Sequence, residues 1–348
     1  MVKLPKCSEY VENIEVPQLI KAPSLHGGRV LKRNDTVIRY VGGFCVVFPF
    51  QTANKKYAVR CWHAQVDNAQ KRTRCIAEEL QRVQLPYFVG FDYVQEGIAT
   101  SVGIQPIVVM DWVEAVPLKE YIRQHITDSN RILSLAESFL QMVKDLHWHQ
   151  ISHGDLQHGN ILVSDTGKLV LVDYDSMYVP SLEGFTDDIK GLDGYQHPAR
   201  RSNHDLSPKA DYFSELIIYT SLRALAKLPG LWEGLSIEGT ETLLFTAEDI
   251  DSGGASSIFH LLDQDEELAP MSAALKSSLE CSSINELRPL EQVLISPVDS
   301  ISSKWKNNGY IPPIPDYEKG VDKIREGWNT PQPVRTEVPN IDEIIKKW

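Results

Sequence analysis

Long apolar runs are missing from this sequence. No stretch approaches the roughly 18 consecutive apolar residues that a membrane-spanning helix needs. The opening MVKLPKCSEYVEN has no apolar centre of the kind a secretory leader carries. Neither a membrane nor an export route is expected. Cysteine is sparse: Cys7, Cys45, Cys61, Cys75 and Cys281 are odd in number, scattered, and without a CxxC pair. That argues against a metal site and for free thiols in a reducing cytoplasm. Surplus basic charge is missing too. The 35 Lys and Arg stand against 47 Asp and Glu, leaving a net charge of −12 and a pI near 5.3. This balance argues against nucleic acid or an anionic membrane as the main partner. Internal repeats and low-complexity tracts are absent. What remains, 348 residues of which 42% are apolar, suits one two-lobed domain with extensions.

The densest chemistry lies at 151–175, ISHGDLQHGNILVSDTGKLVLVDYD. Three polar anchors, Asp155, Asn160 and Asp173, are separated by apolar segments. Ile161 to Val163 begins a strand, Asp165 to Gly167 is a turn signal, and Lys168 to Val172 is a second apolar run. The expected order is loop, strand, tight turn, strand, bringing Asn160 and Asp173 near the Asp155 carboxylate. Oxygen ligands of this kind suit Mg²⁺, which takes few protein groups and completes its shell with phosphate oxygens.

This run resembles the catalytic loop of protein kinases, H-R-D-L-x-x-x-N. His153, Asp155, Leu156 and Asn160 match, and Asp173-Tyr174-Asp175 stands where D-F-G belongs. The resemblance implies an α+β, bilobal protein kinase-like fold. It would have a five-stranded antiparallel N-lobe with one main helix and a mostly helical C-lobe. It divides the chain into an N-terminal extension (1–35), the N-lobe and hinge (36–113), the C-lobe (114–295) and a Pro-containing tail (296–348).

Within the extension, three prolines and Gly27-Gly28 predict a strap or a short helix over Val16–Lys21. Thr36 to Phe50 reads as two strands around Gly42-Gly43, and Lys56 to Trp62 as a third. Against the family's phosphate-covering loop, Tyr40, Gly42 and Cys45 fall at the three glycine positions, so only the middle glycine survives. Side chains then stand where backbone amides approach phosphate. Tyr57-Ala58-Val59-Arg60 resembles V-A-I-K, with Arg60 where a lysine holds the α- and β-phosphates. Charge is kept, but the fork is wider and the reach different.

Gln70 to Val83 reads as a helix with Ile76, Leu80 and Val83 inward. It takes the place of the kinase helix whose Glu pairs with that basic residue. Glu78 and Glu79 are the candidates, and helical spacing favours Glu79. Phe88–Val94 and Ile104–Trp112 read as the last two strands, and PIVVMDWVEAV resembles the hinge. There Met110 would be the gatekeeper, and the backbones of Asp111 and Val113 would face adenine. Val47, Ala58 and Leu162 fall where the family sandwiches the purine.

Two loop positions depart from the pattern. Gly154 replaces the arginine that receives an activation-loop phosphate, and Gln157 stands where Ser/Thr kinases place a lysine. His147, His149 and His153 read as structural rather than ligating. HGDLxxGN also occurs in aminoglycoside and choline phosphotransferases. The later YQHPAR, in the position of A-P-E, and Asp211-Tyr-Phe-Ser214, similar to D-x-W-S, favour the protein kinase branch. Together these motifs look most like bacterial kinase-like proteins associated with tellurium-resistance gene clusters. Ser257–Asp263, Met271–Leu279 and Ile284–Leu294 read as helices closing the C-lobe, Tyr317–Trp328 and Ile341–Trp348 as short helices of the tail. Trp305, Trp328 and Trp348 suggest that the tail docks on a surface.

The resemblance implies an ATP- and Mg²⁺-dependent kinase acting on Ser/Thr of protein substrates. Asp155 would serve the hydroxyl, Asn160 and Asp173 would hold Mg²⁺, and Arg60 would hold phosphate. A pseudokinase that binds nucleotide or a signalling partner is the alternative, and a small-molecule phosphotransferase the second.

Overall fold

A continuous apolar run at Cys45–Phe50 forms a strand buried along nearly its whole length, and Lys56–Trp62 forms a second that is buried from Val59 onward. In the computed structural model, which describes residues 4–42, 44–64 and 68–294, the chain forms two units. Of the described residues, one unit holds those up to 118 together with 159–185, and the other holds 119–158 and 186–294.

The first unit is built on a six-stranded antiparallel sheet. Its strands are β1 (Arg29–Val30), β4 (Tyr40–Val41), β5 (Cys45–Gln51), β6 (Lys56–Trp62), β7 (Phe91–Thr100) and β8 (Gly103–Asp111). The order is β1-β5-β6-β8-β7, with β4 on β5. A separate ribbon pairs β2 (Lys32–Arg33) with β3 (Thr36–Val37). Val46, Phe48, Phe50, Val59, Cys61, Ile107 and Val109 form one buried layer. Tyr10, Ile14, Ile20, Ala22, Leu25 and Val30 close it from the N-terminal side. The segment expected to be a strap is therefore part of the core. Its helix is α1 (Cys7–Asn13), while 17–19 and 23–25 are single 3₁₀ turns opened by proline. Tyr10 and Ile14 sit four apart, as a one-sided helix requires, and the Tyr10 hydroxyl donates to the Trp62 carbonyl at 3.0 Å.

Helix α2 (Ala69–Val83) buries Arg72, Thr73, Ile76, Ala77 and Leu80. β7 begins three residues later than expected, because Phe88 bridges Leu171 and the Val89 amide donates to the Tyr174 hydroxyl. After the hinge, β9 (Val116–Pro117) pairs with β10 (Ile161–Val163), and β10 pairs with β11 (Leu169–Leu171). Gly167, at φ +80°, makes the turn between the last two.

The second unit is helical. Helix α4 (Ser129–Trp148) buries Ile132, Leu135, Phe139, Met142, Val143 and Leu146. It follows α3 (Leu118–His125) and packs on α5 (Tyr212–Lys227). The helix expected over 284–294 is split, since Pro289 separates a 3₁₀ turn at Ile284–Glu286 from a helical turn at Leu290–Val293. The tail helices and Trp305, Trp328 and Trp348 lie outside the described residues.

Candidate functional site

The site in the first unit grows from the end of the β10–β11 hairpin. Ile161 pairs with Leu171, and the Val172 amide donates to the Asn160 carbonyl at 3.0 Å. That register sets Asp173 one residue beyond the partner of Asn160. Asp173 takes a left-handed backbone at φ +65°, a conformation uncommon outside glycine and frequent at functional sites. Tyr174 anchors the turn. Its hydroxyl donates to the Leu171 carbonyl at 2.7 Å and accepts from the Val89 amide at 3.0 Å. Its ring packs on Phe88 and Phe91. With Tyr174 fixed, Asp173 and Asp175 lie on either side of a rigid point.

Arg60 lies mid-strand on β6, opposite Val47 and Val108, and is 6% exposed. Both terminal nitrogens of its guanidinium donate to Asp175, each at 2.5 Å. Burial opposes the charge, but Asp175, with Cys45 and Asp173, holds Arg60 protonated even above the usual arginine range. Burial likewise opposes the Asp175 charge, and Arg60 and Arg72 outweigh it, so this carboxyl stays below the ordinary carboxylate range. Arg72, on the buried face of α2, donates to the Asp175 carbonyl at 3.0 Å.

This corrects the expected pairing. Glu79 does not reach Arg60; it pairs with Arg82 one turn along α2, at 2.5 and 2.9 Å. Glu78 pairs with Arg74 at 3.4 Å. Neither Asp175 nor Arg72 was singled out from the sequence. Arg72 had a signal, lying four before Ile76 and eight before Leu80 on the buried stripe. Asp175 had one too, as a second acid where the family keeps glycine.

The residues expected around a base are mostly in the central strands. Val47 pairs with Tyr40 and Arg60, and Ala58 lies between Pro49 and Met110. Leu162 pairs with Pro117, a few residues past Asp111 and Val113, the residues expected at the hinge. The Asp111 side chain is engaged by Lys55 at 2.7 Å. The Gly42 amide donates to the Cys45 carbonyl at 2.9 Å and closes the β4–β5 hairpin. The first strand of that hairpin is two residues long rather than starting at Thr36. Gly43 lies outside the described residues.

Asp155 belongs to the second unit. The loop backbone at 153–154 is held by Asp211, which accepts from the amides of His153 and of Gly154 (2.9 Å). Asp211 is buried, and desolvation pushes its carboxyl up. Asp211 occupies the N-cap position of α5, but its side chain makes no cap hydrogen bond, being spent on the loop. Arg200, 1% exposed, donates to the Gly154 carbonyl (2.5 Å), to Gln196 and to Asp187 (3.1 Å). It thereby fastens the segment after D-Y-D to the loop whose family arginine is Gly154 here. The Leu192 amide donates to Asp155 Oδ1 at 3.0 Å. Gln157 and His158 are buried, and His158 meets the Tyr195 hydroxyl at 2.7 Å. His147 bridges Glu215 and Glu291, each at 3.0 Å, and is structural as expected.

Chemically, Asn160 and Asp173 offer oxygen donors at adjacent rungs of one hairpin, beside a buried arginine. Among the described residues no cluster of three or more His, Cys, Asp or Glu side chains would hold a metal by itself. A two-ligand site completed by phosphate oxygens and water fits Mg²⁺ rather than a transition metal. The chain matches the protein kinase domain family over residues 41–229, more than half its length. It belongs to that family. It is a kinase-like protein of phosphotransferase type, and no curated protein matches it. Among the described residues no helix is long and apolar enough to cross a membrane.

Proposed function

We propose that this protein transfers the terminal phosphoryl group of ATP, with Mg²⁺, to Ser or Thr hydroxyls of a protein substrate, as a divergent kinase of the tellurium-resistance-associated bacterial type in the cytoplasm. The observation that carries this reading is the rung carrying Asn160 and Val172, which puts Asn160 beside Asp173, next to the buried cation Arg60. Asp155 receives or orients the substrate hydroxyl. Asn160 and Asp173 hold Mg²⁺, and Arg60 holds an anionic phosphate oxygen. Val47, Ala58, Met110 and Leu162 contact the base, while the backbones of Asp111 and Val113 hydrogen-bond its edge, and Gly42 covers the phosphates. Bound Mg²⁺ supplies charge neutralisation on the phosphates. The protein's part is positioning, which tolerates the loss of two loop glycines better in binding than in rate.

A pseudokinase is favoured by Tyr40 and Cys45 at glycine positions and by Gln157 in place of lysine. A thermal shift with ATP, with and without Mg²⁺, tests the reading. Stabilisation that needs the metal supports it, and no shift at saturating nucleotide would remove it.

A further inference from the structure

We propose that Asp175, rather than a glutamate of α2, positions Arg60 for phosphate, and that the phosphate oxygen is received at Arg60 Nε while the Asp175 contact stays closed. This inference rests on the nucleotide reading above.

A guanidinium has five N–H donors in one plane and presents more than one edge to an oxyanion. Asp175 takes the outer edge through both terminal nitrogens. The lateral edge, which includes Nε–H, remains. Arg60 Nε is buried and makes no hydrogen bond of good geometry among the described residues, although the Cys45 thiol, a weak acceptor, lies beside the guanidinium. An N–H left so is costly unless something fills it. A charged, directional donor calls for an oxyanion, and a nucleotide phosphate supplies one.

The Asp175 contact need not open for this. Its two bonds fix the guanidinium plane on a strand residue flanked by Val47 and Val108. Arg72 fixes Asp175 in turn by donating to its carbonyl. Helix α2 is thus tied to the site with its charge reversed, an arginine where the family pattern has an acid. The acid comes from the 173–175 turn, next to the metal candidate Asp173. Orientation of Arg60 then follows the turn rather than a carboxylate on α2, and Glu79 is spent on Arg82.

The test is nucleotide affinity of the full chain for ADP and for ATP with Mg²⁺, by titration calorimetry. Asp175→Asn keeps the shape and removes the charge. Its affinity is expected to fall about tenfold or more, as for loss of a charge-assisted contact at a phosphate-binding group. Asp175→Glu is expected to restore part of it, and Glu79→Gln to bind as the wild type does. A purely structural Asp175 would lower the unfolding midpoint while leaving the affinity of the folded protein unchanged, and that result overturns the proposal. So does tighter binding by Asp175→Asn, the mark of a contact that competes with phosphate, or an equal loss in Glu79→Gln. Should Asp175→Asn fail to fold, Asp175→Glu and Arg60→Lys are compared instead, and unchanged affinity in both is a refutation. A wild-type chain that binds neither ATP nor ADP overturns the underlying reading as well. Wild-type binding with Asp175→Asn unaffected overturns only this one.

Discussion

Replacing Arg200 by methionine separates an anchoring arginine from a surface one. Arg200 and Asp187 face each other with side chains 1% and 2% accessible. The same guanidinium serves the Gly154 carbonyl and Gln196. Removing one partner of a buried pair leaves the other charge uncompensated, a loss of about 3–5 kcal/mol. The nearest relief is Lys190, 3.2 Å from Asp187 but 32% accessible, and a partly exposed pair of that kind returns less than about 1 kcal/mol. Arg200→Met is therefore expected to lose about 3–5 kcal/mol in urea unfolding, a large part of a typical domain's stability. Adding Asp187→Leu removes the stranded charge, and the double variant should recover about 1–3 kcal/mol. Hydrogen exchange gives a second readout, because the segment around Gly154 loses its tether. A loss under about 1 kcal/mol for the single variant, or strict additivity in the double, would refute the reasoning.

Further expectations follow from other contacts. A side chain at Gly191, where φ is +78°, would come 2.7 Å from Asp155 Oδ1 and 2.7 Å from Gln196 Nε2; Gly191→Ala should cut transfer about ten- to hundredfold with the fold kept, and an unchanged rate argues against the placement of Asp155. Tyr174→Phe removes the hydroxyl shared by Val89 and Leu171 and should cost about 1–3 kcal/mol in denaturant unfolding; no loss would show the hydroxyl to be idle. Burial opposes the charge of His147, yet Glu215 and Glu291 raise its pKa to about 9, above the unfolded value. Its stabilisation is then present below about pH 6.5 and lost as pH rises through 9. Burial also lifts Glu215 from 4.5 to about 7, so its contribution falls between those two values, mostly below the window set by His147. The unfolding midpoint should drop between pH 6.5 and 9.5, and a His147→Gln/Glu215→Gln variant should flatten that slope; an equal slope in both contradicts it.

Much of this was legible in the sequence where periodicity and motif agree. The hairpin of 161–171 was announced by Asp165 to Gly167 between two apolar runs. The DYFS motif marked the head of α5, but that the Asp211 side chain is spent on the amides of His153 and Gly154 rather than on the cap came from the structure. The partner of Arg60 was not legible either. Helical spacing singled out Glu79 as an acid at the edge of an apolar face, but it carries no information about Arg82 three residues on, which is closer and equally complementary. Asp175 lies 115 positions from Arg60, a separation no local rule bridges. The N-terminal core contribution was hidden for a similar reason. Pro17 and Pro23 read as irregular chain, and irregular chain still buries Ile20, Ala22 and Leu25 when a sheet face needs covering.

The most direct test of the account is label transfer from γ-labelled ATP to protein Ser or Thr by the full chain with Mg²⁺, comparing wild type with Asp155→Asn. The account predicts metal-dependent label on protein that falls at least about a hundredfold in Asp155→Asn, with ATP binding retained. Equal labelling by both proteins, or ATP binding without any transfer by the wild type, would contradict it.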